Sequence, residues 1–290
     1  MTASSPRRLR NWTGFVLAAA IVLVAVQVGL AAAGERKATR VAAAEGLDLR
    51  YQAGPLGLER LGPLGAGFDV TRDGVALLAP TAGGLAGIGA DGGGDILPVK
   101  TRGLASFALD GRDNLITVSG GFLGRLTETG EALEAVPLPY DDARLASSVH
   151  DGAVYLYGGR DGDWRLYRFW ENGRFEVLLS SPQPLVGVAD TGSAVYAATA
   201  RAIYRLGGDG ARPVFRAPAA PGWGPITSVA VTPDGQVLFA TPHRVWAVAA
   251  GGAAASLIND AGGQIRLRGG RVHVFDPGRR LLFSFAPRKG

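Results

Sequence analysis

A glycine-centred turn recurs at nearly constant spacing through most of this 290-residue chain. Each copy lies between two β-rich runs, and successive copies are 35 to 43 residues apart. The six turns are Asp73-Gly74, Asp110-Gly111, Asp151-Gly152, Thr191-Gly192, Asp234-Gly235 and Gly269-Gly270. A period of about 40 residues with four strands in each unit is typical of the blades of a β-propeller. The repeat therefore predicts an all-β fold with six blades.

The sixth unit is one strand short, and the other end of the sequence offers a replacement. A β-like run at Leu47–Tyr51 precedes the first unit without belonging to it. We expect this run to be the outer strand of the last blade, because that pairing removes an open sheet edge. The predicted domain is a six-bladed β-propeller over residues 46–290, with its ring closed by an N-terminal strand.

Residues 12–34 contain no charged side chain. Because an apolar helix of about 20 residues spans the hydrocarbon core of a bilayer, this stretch predicts a single transmembrane helix that acts as a signal anchor. A basic tail, residues 1–11, would precede the helix and a short connector, residues 35–45, would follow it. The alternative is a cleaved signal peptide, since Ala31–Ala33 offers the small residues that a cleavage site needs.

Most of the net charge of +5 lies near the N-terminus, where residues 1–45 carry six Lys or Arg against two Glu. The remaining sequence shows no basic stripe of the kind that marks nucleic-acid-binding domains, so no nucleic-acid partner is expected. Arg7, Arg8 and Arg10 precede the apolar stretch and favour an N-terminus inside the cell. We therefore expect a single-pass protein of the inner (cytoplasmic) membrane, with its propeller on the periplasmic or other extracytoplasmic side.

Two segments carry a more specific resemblance. One runs from Val229 to Ala240 and continues from His243 to Val248, and the other runs from Phe107 to Val118. Each contains an inner strand, an Asp-Gly turn and a second strand, and the repeats resemble those of the six-bladed NHL and gluconolactonase-like propellers. For the enzymes of that group, the resemblance implies a divalent metal at the propeller axis, held by acidic and Asn side chains.

The predicted inner strands offer few ligands for such a metal. Asp69 lies on the first and Asp190 follows the fourth, whereas Arg266 and Arg268 lie on the sixth. A hard cation needs several converging oxygen ligands, so we expect no metal site and no cofactor, and we assign no catalytic residue. Asp69, Arg266 and Arg268 are instead candidate contacts for a small ligand in the axial channel, where the arginines would suit an anion.

Two tryptophans are candidate contacts for a protein partner. Trp170 precedes the polar run Glu171-Asn172-Gly173, and Trp223 lies in a Pro/Gly-rich loop between blades. Loops on a rigid scaffold often carry binding residues, and tryptophan is enriched at interface hot spots. The alternative is that each ring packs within its own blade or covers a blade junction.

These observations favour a non-enzymatic function. We expect a membrane-anchored scaffold or accessory subunit of a membrane protein complex in respiratory, photosynthetic or envelope machinery. Its partners would be the other subunits, with the bilayer contacted through residues 12–34. One alternative is an extracytoplasmic hydrolase of the lactonase or esterase kind, with a degenerate metal site around Asp69 and Asp190. Binding of a small anionic ligand in the axial channel is the other.

Overall fold

The computed structural model describes residues 48–53, 64–80, 84–89, 94–97, 104–126, 132–138, 140, 143–147, 153–170, 174–220, 222–249 and 252–286. Across these residues, 24 β-strands form six antiparallel sheets of four strands each. The first strands of successive sheets contact one another in a closed ring. The all-β, six-bladed propeller predicted from the repeat is therefore confirmed.

The first strand in the chain, β1 (Asp48–Ala53), belongs to the last blade. Blade 1 comprises β2 (Leu64–Val70), β3 (Ala76–Pro80), β4 (Leu85–Ile88) and β5 (Gly94–Leu97). Blade 2 comprises β6 (Leu104–Leu109), β7 (Leu115–Ser119), β8 (Phe122–Leu126) and β9 (Ala132–Pro137). Blade 3 comprises β10 (Arg144–Ser147), β11 (Val154–Arg160), β12 (Asp163–Phe169) and β13 (Phe175–Ser181).

The remaining three blades follow the same order from the axis outward. Blade 4 comprises β14 (Leu185–Asp190), β15 (Val195–Thr199), β16 (Ala202–Gly207) and β17 (Gly210–Arg216). Blade 5 comprises β18 (Ser228–Val231), β19 (Val237–Thr241), β20 (Arg244–Val248) and β21 (Ala254–Asn259). Blade 6 comprises β22 (Gln264–Arg268), β23 (Arg271–Asp276), β24 (Leu281–Ala286) and, on its outside, β1.

The ring is closed by the two ends of the described chain. Strand β1 pairs antiparallel with β24, with Leu49 opposite Phe285 and Gln52 opposite Phe283. This pairing satisfies backbone groups of β24 that would otherwise form an open edge. The predicted closure is confirmed, although the strand begins and ends slightly later than the predicted Leu47–Tyr51.

Apolar side chains between neighbouring blades form the core. At the junction of blades 6 and 1, Phe68 and Val70 pack against Phe275 and Leu282, and all four are almost fully buried. The rings of Phe68 and Phe275 lie 5.5 Å apart between centroids. Complete burial of one such side chain contributes about 1.5–3 kcal/mol, so the blade junctions stabilise the ring without any covalent cross-link.

The predicted turns that lie among the described residues follow the inner strands, whereas Asp151-Gly152 lies outside the described residues. Gly74 and Gly235 have φ angles of +90° and +89°, which glycine adopts without the steric cost that a Cβ would bring. Their N–H groups donate to the carbonyls of Thr71 and Thr232 at 3.1 and 2.8 Å. These two turns thus hold β2 and β18 against their neighbouring strands at the same end of the axial channel.

None of the described residues forms a helix long and apolar enough to cross a membrane. The predicted tail, transmembrane helix and connector, residues 1–45, lie outside the described residues.

Candidate functional site

A cavity of about 130 Å³ lies on the propeller axis. Residues from all six inner strands line it, and most come from the first half of their strand. A cavity needs roughly 10–15 Å³ to hold one water, so this space can hold several waters or one small organic molecule. Its polar side chains are Ser106, Arg144, Tyr157, Thr227, Ser228, Gln264 and Arg266.

Arg266 is the central cation of this cavity. Its Nη1 donates to the Ile265 carbonyl at 2.9 Å and to Ser228 Oγ at 3.3 Å. Ser228 Oγ also donates to the Ile265 carbonyl at 3.1 Å and accepts the Ile265 N–H at 3.2 Å. These bonds link the inner strands of blades 5 and 6, so they hold the guanidinium in a fixed orientation.

Arg144 and Tyr157 enter the cavity from blade 3, where they face each other across β10 and β11. Burial raises the pKa of the Tyr157 hydroxyl, and the positive charges of Arg266 and Arg144 partly oppose this rise. Tyr157 is therefore a neutral hydrogen-bond donor at neutral pH, with two guanidinium groups close enough to act on it.

Asp69 lies deeper along the axis, near the end of β2. Its Oδ2 accepts the Leu109 N–H at 2.7 Å, its Oδ1 accepts the Val70 N–H at 2.9 Å, and its Oδ1 lies 3.8 Å from Arg266 Nε. Burial raises the pKa of this carboxyl, and Arg266 and the two N–H donors act against the rise. Both carboxylate oxygens are thus already held by the protein.

Arg268 closes the channel at the end where the inner strands finish. It extends from blade 6 to the turn after β6 in blade 2, where its Nη2 donates to the Asp110 carbonyl at 2.9 Å and to Asp113 Oδ1 at 2.7 Å. Its side chain is only 6% exposed. Among the described residues, Arg268 therefore blocks the channel at this end.

Asp190 accepts hydrogen bonds from different donors than Asp69 does. Its Oδ2 accepts the hydroxyl of Tyr155 at 2.8 Å, and its Oδ1 accepts the Gly192 N–H at 3.3 Å. The carboxylate therefore fixes the turn after β14 and the neighbouring blade 3.

A divalent metal does not fit the lining that the structure describes. A hard cation needs several converging carboxylate or carbonyl oxygens, whereas the charged groups on this lining are the guanidinium groups of Arg144 and Arg266. Asp69 and Asp190 are engaged elsewhere, and no group of three or more acidic, His or Cys side chains occurs among the described residues. The axial donors instead suit an anion or a carbonyl oxygen.

The two tryptophans lie away from this cavity. Trp223 is half-buried and stacks on Trp246, with ring centroids 4.3 Å apart and an interplanar angle of 14°. Trp170 is half-buried, and the guanidinium groups of Arg168 and Arg174 lie over its ring at 4.9 and 5.0 Å from the centroid. Packing within the protein accounts for both rings, and their role as partner contacts stays a prediction.

The repeat pattern predicted Arg266 on the axis, whereas no pattern in the sequence predicted Arg144 and Tyr157 there. Tyr157 occurs in an aromatic-rich run whose alternation is typical of packing between blades. A usable signal lies in the pairing of these two positions, since Arg144 on the inner strand stands opposite Tyr157 on the second.

Solved propellers share this fold. A gluconolactonase from Xanthomonas campestris aligns with a TM-score of 0.59 and 15% identity, over 74% of this chain and 83% of that one. The calcium-binding protein regucalcin from Agrobacterium tumefaciens gives 0.57 and 14%, over 77% and 90%. A virginiamycin B lyase from Staphylococcus aureus gives 0.53 and 14%, over 77% and 84%. No protein-family model and no curated protein matches the sequence.

The predicted resemblance to gluconolactonase-like propellers is therefore confirmed as a similarity of fold. The prediction that the chain is not an enzyme is wrong, because the structures that share its fold include a gluconolactonase and a lyase. The expectation of a non-enzyme rested on the apolar anchor, the closed ring and the lack of a convergent reactive cluster in the sequence, but guanidinium and hydroxyl donors can also stabilise developing negative charge. At identities near 15%, the match establishes the fold alone.

Proposed function

We propose that this chain is a hydrolase of the lactonase or esterase kind that binds its substrate in the axial cavity. The observation that carries the proposal is the convergence of Arg266, Arg144 and the neutral Tyr157 hydroxyl on one cavity. The shared fold with a gluconolactonase supports it. The cavity volume of about 130 Å³ favours a small substrate.

The donors of the cavity suit the charge that develops during ester hydrolysis. Attack of water on the carbonyl carbon forms a new C–O bond and moves the carbonyl π electrons onto oxygen. Arg266 and Tyr157 stabilise this oxyanion, because a fixed donor in a site shielded from water needs little reorganisation. Collapse of the intermediate breaks the ring C–O bond, the departing oxygen takes a proton that the water has lost, and a hydroxy acid results.

Ser228 positions Arg266 for this role. Its hydroxyl accepts from Arg266 Nη1 at 3.3 Å while it bonds the backbone of Ile265. The guanidinium is therefore oriented when the protein folds, so substrate binding needs no further free energy to orient it.

A panel of five- and six-membered lactones and simple aryl esters tests the proposal, with release of acid as the readout. We expect the purified full chain to hydrolyse at least one lactone, and Arg266→Gln to lower kcat by about 100- to 1000-fold, as for loss of one oxyanion donor. Arg216→Gln, at an exposed position on the outer strand of blade 4, is the matched control. Equal kcat values for Arg266→Gln and Arg216→Gln would refute this role for Arg266.

The sequence also supports a proposal for the location of this activity. We propose that residues 12–34 anchor the propeller to the inner membrane, on the extracytoplasmic side and beside other membrane protein subunits. The uncharged length of this stretch supports the proposal. We expect the propeller to be protected from added protease in intact cells. We expect it to be cleaved once the extracytoplasmic side of the inner membrane is made accessible to the protease. Release of the protein by high salt without detergent would contradict the anchor.

A further inference from the structure

Three hydrogen-bond donors line the axial cavity without a partner among the described residues. Arg266 uses Nη1 for its hydrogen bonds, and its Nη2 donates none. Arg144 and the Tyr157 hydroxyl line the same space, and neither makes a hydrogen bond or ion pair with the described part of the protein. Buried polar groups are nearly always satisfied, and Tyr157 is only 6% exposed. Tyr157 is the buried donor of the three, and together with the two guanidinium groups on the same lining it suits a ligand that accepts hydrogen bonds.

The charge of the cavity restricts that ligand further. Arg144 and Arg266 contribute two positive charges. Asp69, 3.8 Å from Arg266, offsets one of them when it is ionised. Arg268 contributes little to the cavity, because Asp113 neutralises it at the closed end of the channel. The balance is positive whether or not Asp69 is ionised, which suits an anion better than a neutral molecule.

The geometry of the donors also favours a carboxylate. A guanidinium presents its N–H groups in a planar fork that matches the two oxygens of a carboxylate. The Tyr157 hydroxyl adds a neutral donor beside the two guanidinium groups. A carboxylate has enough lone pairs to accept from all three donors at once.

We propose that the axial cavity is a carboxylate-binding site built from Arg144, Tyr157 and Arg266, which binds a small hydroxylated monocarboxylic acid without a metal ion. As a statement about catalysis, this rests on the proposed hydrolase function. The acid is then the product of lactone opening, because the oxyanion held by Arg266 and Tyr157 becomes one of the two carboxylate oxygens. The product therefore competes with the lactone for the cavity.

Gluconate and sorbitol form a matched pair of probes, because they share a six-carbon hydroxylated chain and differ by the carboxylate. Binding of each to the purified full chain is measured by calorimetry and by the shift in thermal midpoint, at constant ionic strength. We expect gluconate to bind and to raise the midpoint, since a ligand that binds only the native state stabilises it. Sorbitol should do neither.

Variants assign the binding to the named donors. Loss of one charge-assisted hydrogen bond should weaken gluconate binding by about 10- to 100-fold in Arg144→Gln and in Arg266→Gln. Arg216→Gln, which is exposed on the outer strand of blade 4, should bind as the unaltered protein does. Arg144 is exposed, so its variant keeps the test decisive even where Arg266→Gln fails to fold.

Several results would overturn the proposal. Equal binding of sorbitol and gluconate would show that the carboxylate is not recognised, and equal binding of inorganic phosphate would show that charge alone is recognised. Loss of gluconate binding after treatment with EDTA would show that a metal ion holds the ligand. Unchanged affinity in both Arg144→Gln and Arg266→Gln would place the site elsewhere.

The two proposals fail in different ways. Gluconate binding without hydrolysis of any lactone would retain the carboxylate site and refute the hydrolase. Lactone hydrolysis that gluconate does not inhibit, together with no measurable binding of gluconate, would retain the hydrolase and refute the carboxylate site.

Discussion

Replacing Arg268 by methionine should destabilise the propeller at the closed end of its axial channel. Arg268 Nη2 donates to the Asp110 carbonyl at 2.9 Å and to Asp113 Oδ1 at 2.7 Å, with only 6% of its side chain exposed. Breaking a fully buried ion pair costs about 3–5 kcal/mol. Asp113 is 28% exposed and also accepts the Arg72 N–H, so water and this bond recover part of the loss. We expect a decrease of about 2–3 kcal/mol in the free energy of unfolding.

Thermal unfolding followed by circular dichroism measures this decrease. In a domain of this size, a loss of 1 kcal/mol lowers Tm by about 2–4 °C, so Arg268→Met should lower it by about 4–12 °C. Arg212→Met is a matched control, because Arg212 Nη2 lies 2.7 Å from Asp209 Oδ2 with side chains 73% and 80% exposed. An exposed pair of this kind contributes little, so the control should lower Tm by no more than about 2 °C.

A double-mutant cycle tests the physical cause. Asp113 has a φ angle of 66°, and asparagine tolerates this left-handed region as aspartate does, so Asp113→Asn removes the charge without new backbone strain. Effects of Arg268→Met and Asp113→Asn that simply add would show that the ion pair is not the source of the stability. A Tm change for Arg268→Met equal to that of Arg212→Met would refute the argument from burial.

Two further predictions concern other buried groups. Burial lowers the pKa of His273 from 6.5 to about 4, so its neutral form stabilises the fold above pH 6.5, and that stability is lost as the pH falls through 4. The loss in the free energy of unfolding should approach about 3 kcal/mol. The variant His273→Gln should flatten the dependence of this free energy on pH between these two values. An unchanged pH dependence would contradict this. Trp223→Ala removes a ring that stacks on Trp246 at 4.3 Å and should lower the free energy of unfolding by about 2–4 kcal/mol in urea. No change in the urea midpoint would favour a role for Trp223 at a partner interface instead.

The blade architecture could be predicted because it rests on local signals. Residues such as Gly74 and Gly235 mark turns through their own backbone requirement, and the apolar alternation on either side predicts strands. Ring closure by β1 was also predictable. A β-like run before the first repeat lacked a partner, and the last repeat lacked one strand, so pairing the two removes an open sheet edge.

The cavity could be predicted only in part because it depends on distances between blades. Arg266 lies on an inner strand and could be placed on the axis from its position in the repeat. Tyr157 lies on a second strand, where alternation alone does not distinguish a ring packed between blades from a hydroxyl that reaches the channel. The engagement of Asp69 by Leu109 N–H likewise joins residues 40 apart in the sequence, and no local pattern contains it.

The pairing of β1 with β24 also determines the order in which the blades can fold during synthesis. Strand β1 leaves the ribosome before all five of the blades that precede its own, and about 230 residues separate it from its partner. At about 5–20 residues per second, this partner arrives roughly 10 to 45 seconds later. Blades 1 to 5 can each form in turn, whereas blade 6 waits for both ends. The last step of maturation is therefore the capture of the earliest strand by the latest one, and a chain that stops short of β24 would leave β1 without its partner.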